Sequence, residues 1–362
     1  MTGQGIAKRG AAPRLARLIA RSGGLIPFER FMREALYGPF GYYRKERRVG
    51  ADYHTAPRIS PLFGRLLARA VGRLGDEITT IVELGAHTGL LAGDMLPSLP
   101  QRMRYVAIEA GEAPREAAAA GLAAYGPRVE VLDRLPRRNL GACVVIANEF
   151  FDALPCHRIV QTAGGLQEMH VGVDGARFVE RRGAVTDTRI VRYLAQEKIR
   201  LRRWQQAEVC LDIERIYGSL RRACPRGVVI VIDYGYSAGE LYAWSRRRGT
   251  LRTYAQQRDA GDPLERPGEK DITYHVDLTR IRAAAERFGF RTVHERSLAE
   301  FLIGLGALDL MRTASMEERL SLKTLVVPGQ MGERFTVLVQ TRGIAIRDDV
   351  FPAIQAIAEA MR

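Results

Sequence analysis

Residues Val82–Leu91 read VELGAHTGLL, and the fold is decided by how that stretch is understood. An apolar run from Ile78 to Leu84 meets Gly85, and a second apolar run opens just after Gly89. A glycine joint between a strand and a helix lets backbone pass close to a ligand and aims the helix N–H groups at it. Further on, the run Tyr105–Ile108 ends in Glu109. A carboxylate at the tip of a second parallel strand is placed to accept hydrogen bonds from ribose hydroxyls. Turn and acid together predict a nucleoside-containing cofactor. A dinucleotide site would carry a glycine where His87 stands. S-adenosylmethionine (SAM) has no pyrophosphate to cradle, and histidine is among the residues enriched at positive φ. The stretch favours SAM over a dinucleotide; a plain strand–helix turn is the bland alternative.

The neighbouring pattern supports the first reading. Short apolar runs at Ile78–Leu84, Tyr105–Ile108, Val129–Leu132, Ala142–Ala147 and Val228–Asp233 alternate with helical stretches at 89–97 and 112–124. Such alternation predicts an α/β protein built on a parallel sheet with helices on both faces. Residues 157–205 interrupt it as an insertion between the fourth and fifth strands, with a hairpin turn near Val171–Gly175 and an Arg-rich helix over 189–205. A helix over 206–223, a long connection over 235–276, a helix over 278–288 and a final strand at Arg334–Gln340 follow. Before the sheet, apolar spacing predicts helices that start near Pro27 and at Ser60-Pro61. We divide the chain into an N-terminal helical cap (1–75), the sheet domain with its insertions (76–342) and a C-terminal tail (343–362).

Ligands of open α/β sheets bind outside the carboxyl ends of the strands. The fourth run ends there in Asn148-Glu149-Phe150-Phe151-Asp152. Two acids among aromatic rings suit a cationic acceptor. Asp152 as a helix cap is the competing reading. His275, before the 278–288 helix, is a candidate base or orienter, or else an N-terminal helix contact or a solvated loop histidine, and Asp277 is the N-cap of that helix.

Composition narrows the partners. The 362 residues include 46% hydrophobic and 27% charged, with 55 Lys+Arg against 41 Asp+Glu, a net charge of +14. No stretch approaches the roughly 18 apolar residues of a membrane span. Arginines cluster at Arg44–Arg48, Arg200–Arg203 and Arg246–Arg248, without aromatics interleaved in a stacking pattern. Nucleic acid is therefore the disfavoured partner. Cys143, Cys156, Cys210 and Cys224 are widely spaced, which predicts packed thiols and no metal. Residues 1–25 carry Lys8, Arg9, Arg14, Arg17 and Arg21 without an acid, as transit peptides do. The spacing of Leu15, Leu18 and Ile19 favours a folded first helix instead.

The ordered segments IPFERFMREALYGPFGYY (26–43), GADYHTAPRISPLFG (50–64), VELGAHTGLLAGDML (82–96), YVAIEAG (105–111), ANEFFDALP (147–155), VIDYG (231–235), RGTLRTY (248–254), DITYHVDLT (271–279) and PGQMGERFTVLV (328–339) resemble the MidA-like family. That family of SAM-dependent methyltransferases includes a mitochondrial protein arginine methyltransferase that assists respiratory complex I assembly. The resemblance implies a class I, Rossmann-like methyltransferase sheet. It places Glu83, Gly85, His87, Gly89 and Glu109 along the cofactor, with Asp133 near adenine. The Thr55–Ser60 loop would close over the site; Asn148 would lie between cofactor and acceptor; Glu149 and Asp152 would border the acceptor. The family usually has glycine at His87. The expected function is methylation of a protein side chain, arginine favoured, with Glu149, Asp152 and His275 as the catalytic set. A non-catalytic assembly factor and a small-molecule methyltransferase are the alternatives. The cytoplasm is the expected compartment, with the mitochondrial matrix as the other option, and a homodimer is one of the oligomeric states the sequence leaves open.

Overall fold

The computed structural model describes residues 10–44, 55–256, 258–327, 329–347 and 349–352. Lys8, Arg9, most of the Arg44–Arg48 cluster, the Gly50–His54 part of the family resemblance and the end of the tail lie outside the described residues. Packing divides the chain into two units of three segments each. Met1–Tyr53, Asp152–Arg215 and Tyr236–Arg280 form the first; His54–Phe151, Ile216–Gly235 and Ile281–Arg362 form the second. The boundaries drawn above at 75 and 342 do not follow this division, because burial and not chain order groups the segments.

The second unit holds the strands β1 (Thr80–Leu84), β2 (Arg104–Ile108), β3 (Val129–Leu132), β4 (Ala142–Asn148), β5 (Arg226–Tyr236), β6 (Arg291–Ser297) and β7 (Phe335–Arg342). They lie in the order β6-β7-β5-β4-β1-β2-β3. Strands β1 to β5 pair in parallel, whereas β7 runs antiparallel to both β5 and β6. The chain winds outward from β1 to β3, then returns to β4 on the other side of β1. That reversal opens a crevice at the carboxyl ends of β1 and β4. Every residue of β1 is buried, as expected of a strand covered on both faces.

The helix Pro61–Arg73 buries Leu62, Phe63, Leu66, Leu67 and Val71 in the core of this unit. Its apolar spacing is the one read from sequence, yet it belongs with the sheet and not with a separate cap. Ile344, Val350 and Phe351 join the same core, so the tail begins as packed structure. Sequence periodicity missed β6, whose RTVHERS carries a single aliphatic residue. It is an edge strand, and its register shifts between Thr292 and His294. The helices Leu298–Gly304, Ala307–Thr313 and Met316–Val326 were missed with it.

In the first unit, the helix Ala11–Arg21 buries Ala11, Leu15 and Ile19, and Phe28–Tyr37 buries the five apolar residues spaced for it. An antiparallel sheet orders Leu25–Pro27, Gly165–Asp174, His157–Thr162 and Gln206–Val209, with Arg177–Gly183 beside Gly165–Asp174. Asp174 pairs with Arg177, which leaves Gly175-Ala176 as the hairpin turn, Gly175 at φ 57°. Two sequence expectations need correction. The 189–205 helix is confined to Thr188–Gln196, and the 206–223 helix divides into the strand Gln206–Val209 and the helix Asp212–Ala223. Val209 has helical spacing from Ile213 but takes its place from its strand partner His157. The 235–276 connection is ordered by the helix Ala238–Leu241 and a small sheet of Arg252–Ala255, Arg258–Asp259 and Asp271–Thr273. No described helix is long and apolar enough to cross a membrane.

Candidate active site

The turn after β1 is built from left-handed backbone. Gly85 and Gly89 sit at φ 74° and 77°. A Cβ on Gly89 would lie 2.9 Å from Leu122 Cδ1, and one on Gly85 would lie 3.2 Å from Phe150. Positive φ thus favours glycine at both positions, and the Leu122 and Phe150 side chains leave little room for a Cβ. His87 between them stands at φ 47°, and its N–H donates to Glu109 Oε2 at 2.8 Å. Glu109 Oε1 accepts from Gly111 N–H at 2.6 Å. The acid at the tip of β2 thus fastens the turn after β1. Burial raises its pKa against those hydrogen bonds. A carboxylate has about four acceptor directions, so two backbone donors leave room for ribose hydroxyls.

The His87 ring is pushed down to about 4, first by burial and then by Arg58. The ring is therefore neutral near pH 7. Glu83 is pushed up to about 7 by burial, while Tyr105 Oη donates to its Oε2 at 2.8 Å. Asp133 is exposed and paired with Arg134, which holds its pKa down. Its carboxylate is turned to that arginine.

At the end of β4, Ala147 lies opposite Leu84 of β1, so the residues that follow reach the same crevice. Glu149 takes φ 49°, a strained conformation of the kind that collects at functional sites. Its Oε1 accepts from Ala56 N–H at 3.1 Å and from the Asn148 side-chain amide at 3.3 Å. This bond draws the short helix Ala56–Ile59, which starts after Thr55, to the crevice. Arg58 on that helix acts on His87. Asn148 Oδ1 is buried without a partner among the described residues. Sequence reading passed over Asp233 as a mere strand end. Fully buried, it accepts from Phe151 N–H and Tyr234 N–H, both at 2.9 Å, and so ties the aromatic turn after β4 to β5. A lone acid closing the apolar run Val228–Ile232 was the available signal.

These groups fit SAM. The glycine turn would admit the methionine part, Glu109 would face ribose, and the buried Asn148 oxygen would be left to accept from a donor of the cofactor. The remaining candidates belong to the first unit. The Asp152 carbonyl accepts from Tyr274 N–H at 3.3 Å, and burial, with a smaller part from the Asp152 carboxylate, raises the pKa of the Tyr274 hydroxyl. No helix follows Asp152, so the cap reading falls. His275 donates its N–H to Thr250 Oγ1 at 3.0 Å and packs on Tyr236 at 5.2 Å. Burial, with Arg246 and Arg252, pushes its imidazole down to about 4. The expected proton acceptor is thus a weak base, and its surroundings suit an orienting part. Asp277 does cap its helix, accepting from Arg280 N–H at 3.0 Å, and also accepts from the Tyr193 and Tyr242 hydroxyls.

A sheet with this order and a nucleoside-binding crevice at its switch point defines a class I SAM-dependent methyltransferase. Residues 62–295 match the family described as "Putative S-adenosyl-L-methionine-dependent methyltransferase". The chain belongs to this family, the MidA-like SAM-dependent methyltransferases. It is 31% identical to a Burkholderia thailandensis protein crystallised with S-adenosyl-homocysteine, with a TM-score of 0.83 and 94% of each chain covered. It is 28% identical to the Drosophila melanogaster homologue of the mitochondrial protein arginine methyltransferase NDUFAF7, over 92% of this chain and 85% of the relative. Identity to the human NDUFAF7 protein is 26%, over 87% and 80%.

Proposed function

We propose that this methyltransferase methylates a protein side chain, arginine favoured, in the service of respiratory-complex assembly. The observation that carries the reading is Glu149, a carboxylate held at the mouth of the cofactor crevice in a strained conformation by Ala56 N–H. The names of the relatives, protein arginine methyltransferases, favour the same acceptor. The assembly role rests on the family resemblance. When bound, SAM supplies an electrophilic methyl group on a sulfonium. Glu109 and Asn148 would hold the cofactor, and the Ala56–Ile59 helix, tied to Glu149, would limit water at the crevice. Glu149 pairs with the acceptor guanidinium, turns one nitrogen into line and holds the proton that leaves it.

Glu149→Gln tests this, because an amide oxygen still accepts from Ala56 N–H while the charge is lost. S-adenosyl-homocysteine affinity, measured by titration calorimetry, stays within a few-fold. Transfer of labelled methyl to proteins of the source cell's lysate falls by about 100-fold or more. Unchanged transfer in the variant removes Glu149 from the mechanism. Label found only in small molecules with the wild-type enzyme removes the protein acceptor.

A further inference from the structure

The chain has two tryptophans, Trp204 and Trp244. Both stand on the first unit, 50% and 40% exposed. Their loops are joined: Gln205 Nε2 donates to the Tyr242 carbonyl at 2.8 Å, and Gln206 N–H donates to the Arg247 carbonyl at 2.9 Å. Neighbouring arginines of one loop serve both rings. Arg203 lies over Trp204 at 5.5 Å and Arg202 over Trp244 at 5.6 Å. Arg182 and Arg247 complete the set at 5.1 and 5.9 Å. Trp204 itself is held at φ 68°, and its N–H donates to the Gln161 carbonyl at 2.6 Å. A bulky residue takes that conformation only where its surroundings impose it. Here they keep the indole at the surface.

Among the described residues, Arg182, Arg200, Arg202, Arg203, Arg247 and Arg248 make no ion pair with a carboxylate. In sequence, 200–203 and 246–248 are separate basic clusters. Only the fold sets them side by side with both indoles between. Like charges held together without acids repel, and exposed apolar ring surface costs free energy in water. An anionic partner relieves both costs.

We infer that this arginine–tryptophan surface of the first unit docks an acidic polypeptide segment. Carboxylates pair bidentately with guanidinium, and Trp and Arg are the residues that dominate protein–protein contacts. Each ring already carries two guanidinium groups of its own chain, which compete with nucleobases for stacking on it. Burial in lipid would strip water from those same cations. This surface goes beyond the methyl-acceptor reading and does not rest on it.

The test is a titration read without cofactor. Because both tryptophans lie on the surface, their intrinsic emission reports occupancy directly. The probes are a short poly-glutamate peptide, oligo-deoxythymidine, and vesicles of phosphatidylcholine with phosphatidylglycerol. The full chain is expected to bind the peptide saturably, with weakening as salt rises. The triple variant Arg202→Glu, Arg203→Glu, Arg247→Glu weakens it by about tenfold or more with an unchanged circular dichroism spectrum. If that variant does not fold, Arg202→Gln alone weakens the peptide by a few-fold. Wild-type affinity in a folded variant overturns the proposal. So does tighter binding of the oligonucleotide or of the vesicles than of the peptide.

Discussion

Glu83 shows how one residue in this fold sets a pH dependence. Burial pushes its carboxyl up to about 7 in the folded chain, from an ordinary value of 4.5. Above pH 7 the folded protein buries a charge that the unfolded chain keeps in water, so the acid costs stability. As the pH falls from 7 towards 4.5 the folded form takes up the proton first, and the cost fades. Glu83→Gln keeps an oxygen for Tyr105 Oη. Chemical denaturation should show the variant more stable at pH 8, by at most on the order of 3 kcal/mol. That gain should vanish below about pH 4.5. An equal gain at both pH values would mean that Glu83 is not buried as an acid. His87 was visible in the sequence as a departure from glycine. Its N–H bond to Glu109 holds it in a positive-φ conformation that favours glycine, and burial explains why its ring carries no charge.

At the scale of elements, the crevice depends on ties between strand ends. Glu109 fastens β2 to the turn after β1, Glu149 fastens β4 to the Ala56–Ile59 helix, and Asp233 fastens β5 to the turn after β4. Removing an acceptor leaves buried donors unpaired, which costs about 1–3 kcal/mol for each. Asp233→Ala orphans two backbone N–H groups, so the stability read from thermal unfolding should fall by about 2–6 kcal/mol. Asp233→Asn, which keeps one acceptor oxygen, should lose about half as much. Equal losses for the two variants would show that packing, not hydrogen bonding, is Asp233's contribution. The sequence marked all three acids as strand ends. Which donor each one meets depends on segments far away along the chain.

On the scale of the molecule, each packing unit is assembled from three separated stretches. A chain shortened to residues 76–342, the sheet domain suggested by sequence, would lose Leu62, Phe63, Leu66, Leu67 and Val71 from the core. Fully burying such side chains stabilises by about 1.5–3 kcal/mol each, together comparable with a whole domain's stability of about 5–15 kcal/mol. The shortened chain should show no cooperative thermal transition. A sharp transition like that of the full chain would mean that the Pro61–Arg73 helix is dispensable.

What the sequence determined by itself is the part written in short-range chemistry. Periodic apolar runs placed β1 to β5, the glycine joint and Glu109 identified a nucleoside site, and apolar spacing located Phe28–Tyr37 and Pro61–Arg73. The tertiary structure alone decided the rest. It found β6 as an edge strand whose pairing, not its side chains, makes it a strand. It assigned Pro61–Arg73 to the sheet, reduced His275 to a weak base by surrounding it with Arg246 and Arg252, and joined two arginine clusters around Trp204 and Trp244. Each of these depends on which distant residues share a neighbourhood, and burial and charge act through space, whereas periodicity is read along the chain.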